Sequence, residues 1–165
     1  MNKEVLTSIE MKERGYDSTV VSLAEKAEQG HKKALGLILE IEKQFKKIQR
    51  PDITLHVARA LDDEWNLSKE KVKELRLLDP EEDWKEVSDH KIECFQEYFN
   101  FSDDEGWHFY LPAFIRNYLK SFPNHGYDAV YWACLERKRL SKLNKVELDC
   151  VDKFLNLVYE YETKK

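Results

Sequence analysis

Four polar residues have the side-chain types that general acid–base chemistry uses. His56 and Asp63 are seven residues apart, which is two turns of a helix, and Arg59 lies between them. A helix would therefore place these three side chains on one surface. His108 lies in a later aromatic segment, and a histidine exchanges a proton near neutral pH. An enzyme with a polar pocket around His56, Arg59, Asp63 and His108 is one hypothesis for the function.

A second set of residues favours binding over catalysis. Asp62, Asp63 and Glu64 are consecutive acids, and Trp65 follows them. Consecutive helical side chains point in different directions, so these acids do not form a catalytic carboxylate pair. An Arg59–Asp63 ion pair would satisfy one of them. The sequence favours a non-enzymatic protein-binding module with an acidic docking face over the enzyme. An immunity-type protein that masks a basic toxin is one version of this hypothesis.

The same residues could in principle bind a metal ion. His56 and Asp63 would need a distant third ligand, His90 or His108. Zinc motifs on a helix place two ligands one turn apart, as in His-Glu-x-x-His, and the sequence has no such pair. With five glycines in the whole chain, a phosphate-binding loop of backbone amides is also hard to build. We therefore expect no metal and no cofactor.

The cysteines and the N-terminus indicate a cytoplasmic protein. Cys94, Cys134 and Cys150 are odd in number and lack paired spacing, which is typical of reduced thiols rather than of a disulfide or zinc framework. Residues 1–6 lack the apolar stretch of a signal peptide. No apolar run is long enough to cross a bilayer, so we expect no membrane partner.

The charge is unevenly distributed along the chain. The net charge is -5, yet residues 62–93 contain six bases and twelve acids (6 − 12 = −6), and residues 116–145 contain seven bases and two acids (7 − 2 = +5). Lys46, Lys47, Arg50 and residues 137–139 are basic, but the acidic middle would repel phosphate. We expect no nucleic-acid partner, and a basic protein is the partner that suits the acidic region.

All elements that must position these residues are predicted to be helices, and one of them dominates. Its apolar stripe, at i, i+3, i+4, i+7 and i+11, consists of Trp107, Tyr110, Leu111, Phe114 and Tyr118. Ser102 and Glu105 have the spacing of a capping box at its start. Pro112 interrupts the pattern, which favours a kinked helix or a tightly joined pair. This segment is predicted to be the centre of the core.

The remaining segments predict an all-α fold, a single irregular bundle of about seven or eight helices. One helix is expected to end at Gly30 and another to occupy residues 31–49. Residues 127–135 suit a helix, although their composition also tolerates a strand. Asn144 and Glu147 form a capping-box variant at the start of the last helix.

Three segments resemble the signatures of a known family. Residues 53–65 (ITLHVARALDDEW) and 106–114 (GWHFYLPAF) are similar to paired motifs of a small bacterial family of uncharacterised proteins, a domain of unknown function. Residues 78–84 (LDPEEDW) also fit that pattern. The resemblance covers roughly residues 37–157. It implies a bacterial cytosolic setting and a shared fold, and it transfers no catalytic residue.

The resemblance also suggests how the chain is divided. The 165 residues of the chain fit one domain. Residues 1–33 are predicted to be an N-terminal helical extension, and residues 34–165 to be the all-α family domain. The two parts are expected to form one compact unit. The oligomeric state does not follow from the sequence.

Overall fold

The computed structural model describes residues 5–124 and 126–162, and this part of the chain is helical with no strand. The helices are α1 (Ser8–Glu13), α2 (Ser18–Gln44), α3 (Leu55–Asp63), α4 (Lys69–Arg76), α5 (Asp89–Cys94), α6 (Asp104–Lys120), α7 (Ala129–Glu136) and α8 (Lys145–Glu162). Single 3-10 turns lie at Trp84–Glu86 and Tyr98–Asn100. The predicted all-α bundle of seven or eight helices is confirmed. Residues 129–136 form a helix, which decides between helix and strand for the segment at residues 127–135.

Helix α6 lies at the centre of the bundle, as predicted. Eleven of its 17 residues are buried, and its aromatic stripe is at most 2% exposed at each position. Helices α2, α5 and α7 pack against it, and α2 also packs along α8. The Phe114 ring lies 4.8 Å from that of Phe99, between centroids. The aromatic side chains of α6 therefore join most of the bundle into one core.

The start of α6 differs from the predicted capping box. The N-cap is Asp103, whose carboxylate accepts from the Gly106 N–H at 2.8 Å. The Ser102 hydroxyl instead donates to the Tyr98 hydroxyl at 2.7 Å, and Glu105 is exposed. A Cβ on Gly106 would lie 2.1 Å from the Ser102 Oγ, so this close approach requires glycine. The prediction of a Ser102–Glu105 box was wrong because a buried tyrosine engages the serine.

Helix α2 continues through Gly30, so the predicted helix end at that residue was wrong. Gly30 is buried, and a Cβ there would lie 2.8 Å from the Tyr161 Cε1. The close packing of α8 on α2 therefore explains a glycine within the helix, although glycine is intrinsically unfavourable there. The predicted division at residue 33 falls inside α2. The division into an extension and a family domain stays a prediction.

The predicted capping pair at the start of α8 is present, and serines cap two further helices. Ser68 and Ser88 accept backbone N–H groups at the starts of α4 and α5. The Asn144 carboxamide oxygen accepts from the Glu147 N–H, and the Glu147 carboxylate accepts from the Asn144 N–H, both at 2.9 Å.

In the described ranges, no helix combines the length and apolar character that crossing a membrane requires.

A single helix runs through Pro112, rather than two joined helices. Proline lacks the N–H that would donate to the His108 carbonyl four residues earlier. Pro112→Ala restores this donor but removes part of a buried ring, and these effects oppose each other. We expect the variant to fold, with a change in the free energy of unfolding below about 2 kcal/mol, measured by thermal and denaturant melting. The neighbouring Ala113→Pro is the contrast and should lose about 3 kcal/mol or more. Complete unfolding of Pro112→Ala would contradict this balance.

Candidate functional site

The first candidate site is the acidic docking face, which comprises Asp62, Asp63, Glu64 and Trp65 at the C-terminal end of α3. All four side chains are exposed, and Trp65 is 87% exposed. Among the described residues, none donates a hydrogen bond to the three carboxylates or forms an ion pair with them. The C-terminal end of a helix is the negative end of its dipole, so acids there are unfavourable. These acids therefore do not stabilise the fold.

His56, at the N-terminal end of α3, contacts a residue that the sequence reasoning missed. The fully buried Asp79 accepts from the His56 backbone N–H at 2.8 Å, and its second oxygen lies 2.8 Å from the His56 Nδ1. The Lys91 ammonium of α5 also donates to Asp79, at 3.1 Å. The only signal for Asp79 was its place in the motif at residues 78–84. Asp79 thus connects α3, α5 and the loop between α4 and α5.

The electrostatics around Asp79 keep it ionised. Burial by itself would raise the pKa of Asp79, but the hydrogen bonds from the His56 N–H, the His56 ring and Lys91 outweigh burial and lower the pKa. Burial likewise opposes charge on Lys91, yet Glu81 and Asp79 hold the pKa of its ammonium above its ordinary value. Both oxygens of Asp79 are therefore satisfied by hydrogen bonds, which is what a buried carboxylate requires.

Arg59 binds Glu97 rather than Asp63. Its Nε donates to the Glu97 carboxylate at 2.7 Å, and its terminal nitrogen donates to the Cys94 carbonyl. The guanidinium carbon lies 3.8 Å from the centroid of the Phe95 ring. These contacts attach α3 to the end of α5 and to the segment that follows it, and they leave Asp63 without a described partner.

His108 belongs to a different part of the molecule. Its Nε2 lies 2.9 Å from a carboxylate oxygen of Glu147, which is 4% exposed. His108 therefore connects α6 to the first turn of α8. No described hydrogen bond joins His108 to His56, Arg59 or Asp63. These residues therefore lie in separate parts of the hydrogen-bond network. The grouping of these four residues as an enzyme site stays a prediction.

A cleft of about 420 Å³ borders His108. Its lining comprises residues 46–50, Glu105, His108, Lys142, Asn144 and Glu147. Residues 47–50 also border an adjoining cleft together with Arg76 and Glu82. The sequence marked Lys46, Lys47 and Arg50 as basic, but it gave no sign that they face α6 and the start of α8.

The thiols and carboxylates do not suggest a metal centre within the described ranges, where no three His, Cys, Asp or Glu side chains lie close enough to share an ion. Cys94 is exposed, while Cys134 and Cys150 are buried. Burial raises the pKa of the Cys150 thiol to about 11 and also raises the pKa of the Cys134 thiol. The two buried thiols are protonated and pack as small apolar side chains.

The comparisons with known proteins concern the family alone. A family model described as a family of unknown function, DUF6714, matches residues 33–164. No curated protein and no solved structure matches the chain.

Proposed function

The chain belongs to the family of unknown function DUF6714, and we propose that it is a non-enzymatic module that binds a basic protein through the acidic docking face. The observation that carries the proposal is the 87% exposed Trp65 directly beside three carboxylates without described partners. A large aromatic ring is rarely left so exposed. Tryptophan is also among the residues that contribute most to protein interfaces.

The two kinds of side chain would have different roles in binding. Exposed carboxylates attract a basic surface over a distance and orient it, which raises the association rate more than the affinity. Trp65 then buries its ring in the interface, where apolar burial slows dissociation. Asp62 and Asp63, in the last turn of α3, would gain a favourable partner there that the fold itself does not supply.

The class of partner follows from the charge. A basic protein complements the docking face, and a basic toxin that is masked by an immunity-type protein is one form of such a partner. As part of the same proposal, binding takes place in the bacterial cytoplasm, where free cysteines such as the exposed Cys94 stay reduced.

Replacing Asp62, Asp63 and Glu64 together with serine should leave the fold intact. Each exposed change is expected to alter the free energy of unfolding by less than about 0.5 kcal/mol, and removing acids from a helix C-terminus is favourable. The same variant should lose capture of a basic protein in pull-downs with the full chain as bait. Trp65→Ala should weaken that capture without changing the net charge.

A matched control separates a local surface from overall charge. Glu13, Asp52 and Glu86 are exposed and lack a described ion pair, so replacing them with serine changes the net charge equally, from -5 to −2. This control should keep the basic partner. High salt should release it, because exposed charges are screened over about 8 Å at physiological ionic strength.

Two results would contradict the proposal. Equal loss of capture in the control would show that overall charge, rather than this surface, attracts the partner. Unfolding of the triple serine variant would show that the acids are structural, and the enzyme hypothesis around His56, Arg59, Asp63 and His108 would then gain weight.

A further inference from the structure

We propose that the cleft beside His108 binds a small polyanion, a phosphate ester or a polycarboxylate. Its volume, about 420 Å³, lies in the range of roughly 300–1,000 Å³ that small-molecule sites occupy. The proposed site is separate from the acidic docking face and opposite to it in charge.

The cleft is lined by lysines that have no ion-pair partner among the described residues. Lys46, Lys47 and Lys142 line it, all three are exposed, and none forms an ion pair with a described residue. They come from two segments almost a hundred residues apart in the sequence. Arg50 adds a positive charge in a fixed position, because its guanidinium donates to the Asp79 carbonyl at 2.7 Å, although the exposed Glu82 carboxylate lies 3.9 Å from it. The Arg50 Nε is buried and has no described partner.

The backbone that carries these lysines is held in place. Phe45 and Ile48, on either side of Lys46 and Lys47, are buried, and the Phe45 carbonyl accepts from the Trp84 indole N–H at 3.0 Å. Leu140 and Leu143 are likewise buried beside Lys142. The positive charges therefore converge before any ligand arrives, and such preorganisation reduces the cost of binding.

Two helix ends border the cleft, and acids in their first turns offset part of the positive potential that they add. Glu105, in the first turn of α6, and Asn144, just before α8, both line the cleft. The N-terminal end of a helix carries a partial positive charge and favours anions. The cleft thus combines the ends of two long helices with four cationic side chains.

The acids that line the cleft only partly offset this charge. The carboxylate of Glu147 is engaged by His108 and by the Asn144 N–H. Glu105 is the second acid, and it has no described partner. Among the lining residues, four cations against two acids give 4 − 2 = +2. Glu82, which pairs with Arg50 from the adjoining cleft, lowers this to 4 − 3 = +1, within a protein whose net charge is -5.

The other basic segment indicates that the ligand is small. Arg137 pairs with Asp152 at 2.8 Å, Arg139 with Asp104 at 3.3 Å, and Lys138 with Glu136 at 3.4 Å. Residues 137–139 are therefore neutralised within the fold and do not extend the positive surface. A nucleic-acid backbone needs a long basic track, whereas a compact polyanion needs only the cleft.

Titration calorimetry of the full chain with pyrophosphate and with citrate tests this proposal. Both should bind the parent, or one of them if the site selects phosphates or carboxylates. Lys47→Gln with Lys142→Gln should weaken binding by about threefold to thirtyfold, as expected for the loss of two exposed ion pairs. Glu105→Gln should strengthen it. Thermal melting checks that each variant is folded.

The control makes the same change in charge elsewhere. Lys32 and Lys69 are exposed and outside the cleft, so Lys32→Gln with Lys69→Gln should keep the parent affinity within about twofold. The triple serine variant of the docking face should also keep it. Absence of binding by both pyrophosphate and citrate, or an equal loss in the control, would overturn the proposal.

Discussion

Phe114→Ala is expected to lower the free energy of unfolding by about 3–5 kcal/mol, the usual loss for a buried aromatic ring. Phe114 is 1% exposed, and its ring packs against Phe99 and Tyr98 with centroids 4.8 and 6.2 Å away. The truncation would leave a cavity where α6 meets the segment after α5. In a chain of this size, the melting temperature should fall by about 6–20 °C.

The measurement is thermal and denaturant unfolding beside an exposed aromatic control. Trp65→Ala removes a larger ring that is 87% exposed, so it should change the free energy of unfolding by less than about 0.5 kcal/mol. If Phe114→Ala melts within a few degrees of the parent, α6 is not the centre of the core. Since total stability is about 5–15 kcal/mol, the expected loss is large enough to leave a marginal fold.

Asp79→Asn is expected to lower the free energy of unfolding by about 2–4 kcal/mol. The substitution keeps the shape but removes the charge, and it leaves His56 and Lys91 facing an amide. Removing one member of a buried ionic cluster is strongly destabilising because the remaining groups stay desolvated. His56 and Lys91 are 27% and 22% exposed, so water can compensate in part. Asp62→Asn, on the surface, is the control and should change little.

The pH dependence of unfolding gives an independent test of Asp79. Because the pKa of Asp79 is lowered in the folded state by its hydrogen bonds, the unfolded chain binds its proton more tightly. The stabilisation is therefore fully present at neutral pH and is lost as the pH falls from about 4, the ordinary value for aspartate, through the folded pKa. The difference between parent and Asp79→Asn should shrink in that acidic range. A difference that stays constant down to the folded pKa would show that the carboxylate charge contributes nothing.

The sequence predicted the helices well because their signals are local. The apolar stripe of α6 and the capping pair Asn144–Glu147 each depend on residues within a few turns of one another, and backbone hydrogen bonding links such residues regardless of the rest of the fold. Where two residues could each cap the same helix, the tertiary structure determined which of them does so. Asp103 rather than Ser102 caps α6 because the Tyr98 hydroxyl engages the serine.

The candidate sites divide in the same way. The exposure of residues 62–65 could be predicted, since these residues are adjacent and lie at the end of a helix. The Asp79 cluster could not be predicted from the sequence, because the partners of this buried carboxylate are distant from it in the sequence. His56 lies 23 residues before Asp79, and nothing in the periodicity of α3 indicates that contact.

The class of the fold, the central segment and the unequal distribution of charge all follow from the amino-acid sequence. Which charges remain available for a ligand depends on the packing of the helices. This packing paired Arg137 and Arg139 with Asp152 and Asp104, and it brought Lys142 beside Lys47 at one cleft. The reason is physical: helix formation depends on neighbours along the chain, whereas the pairing of charges depends on distance in space, which packing alone sets.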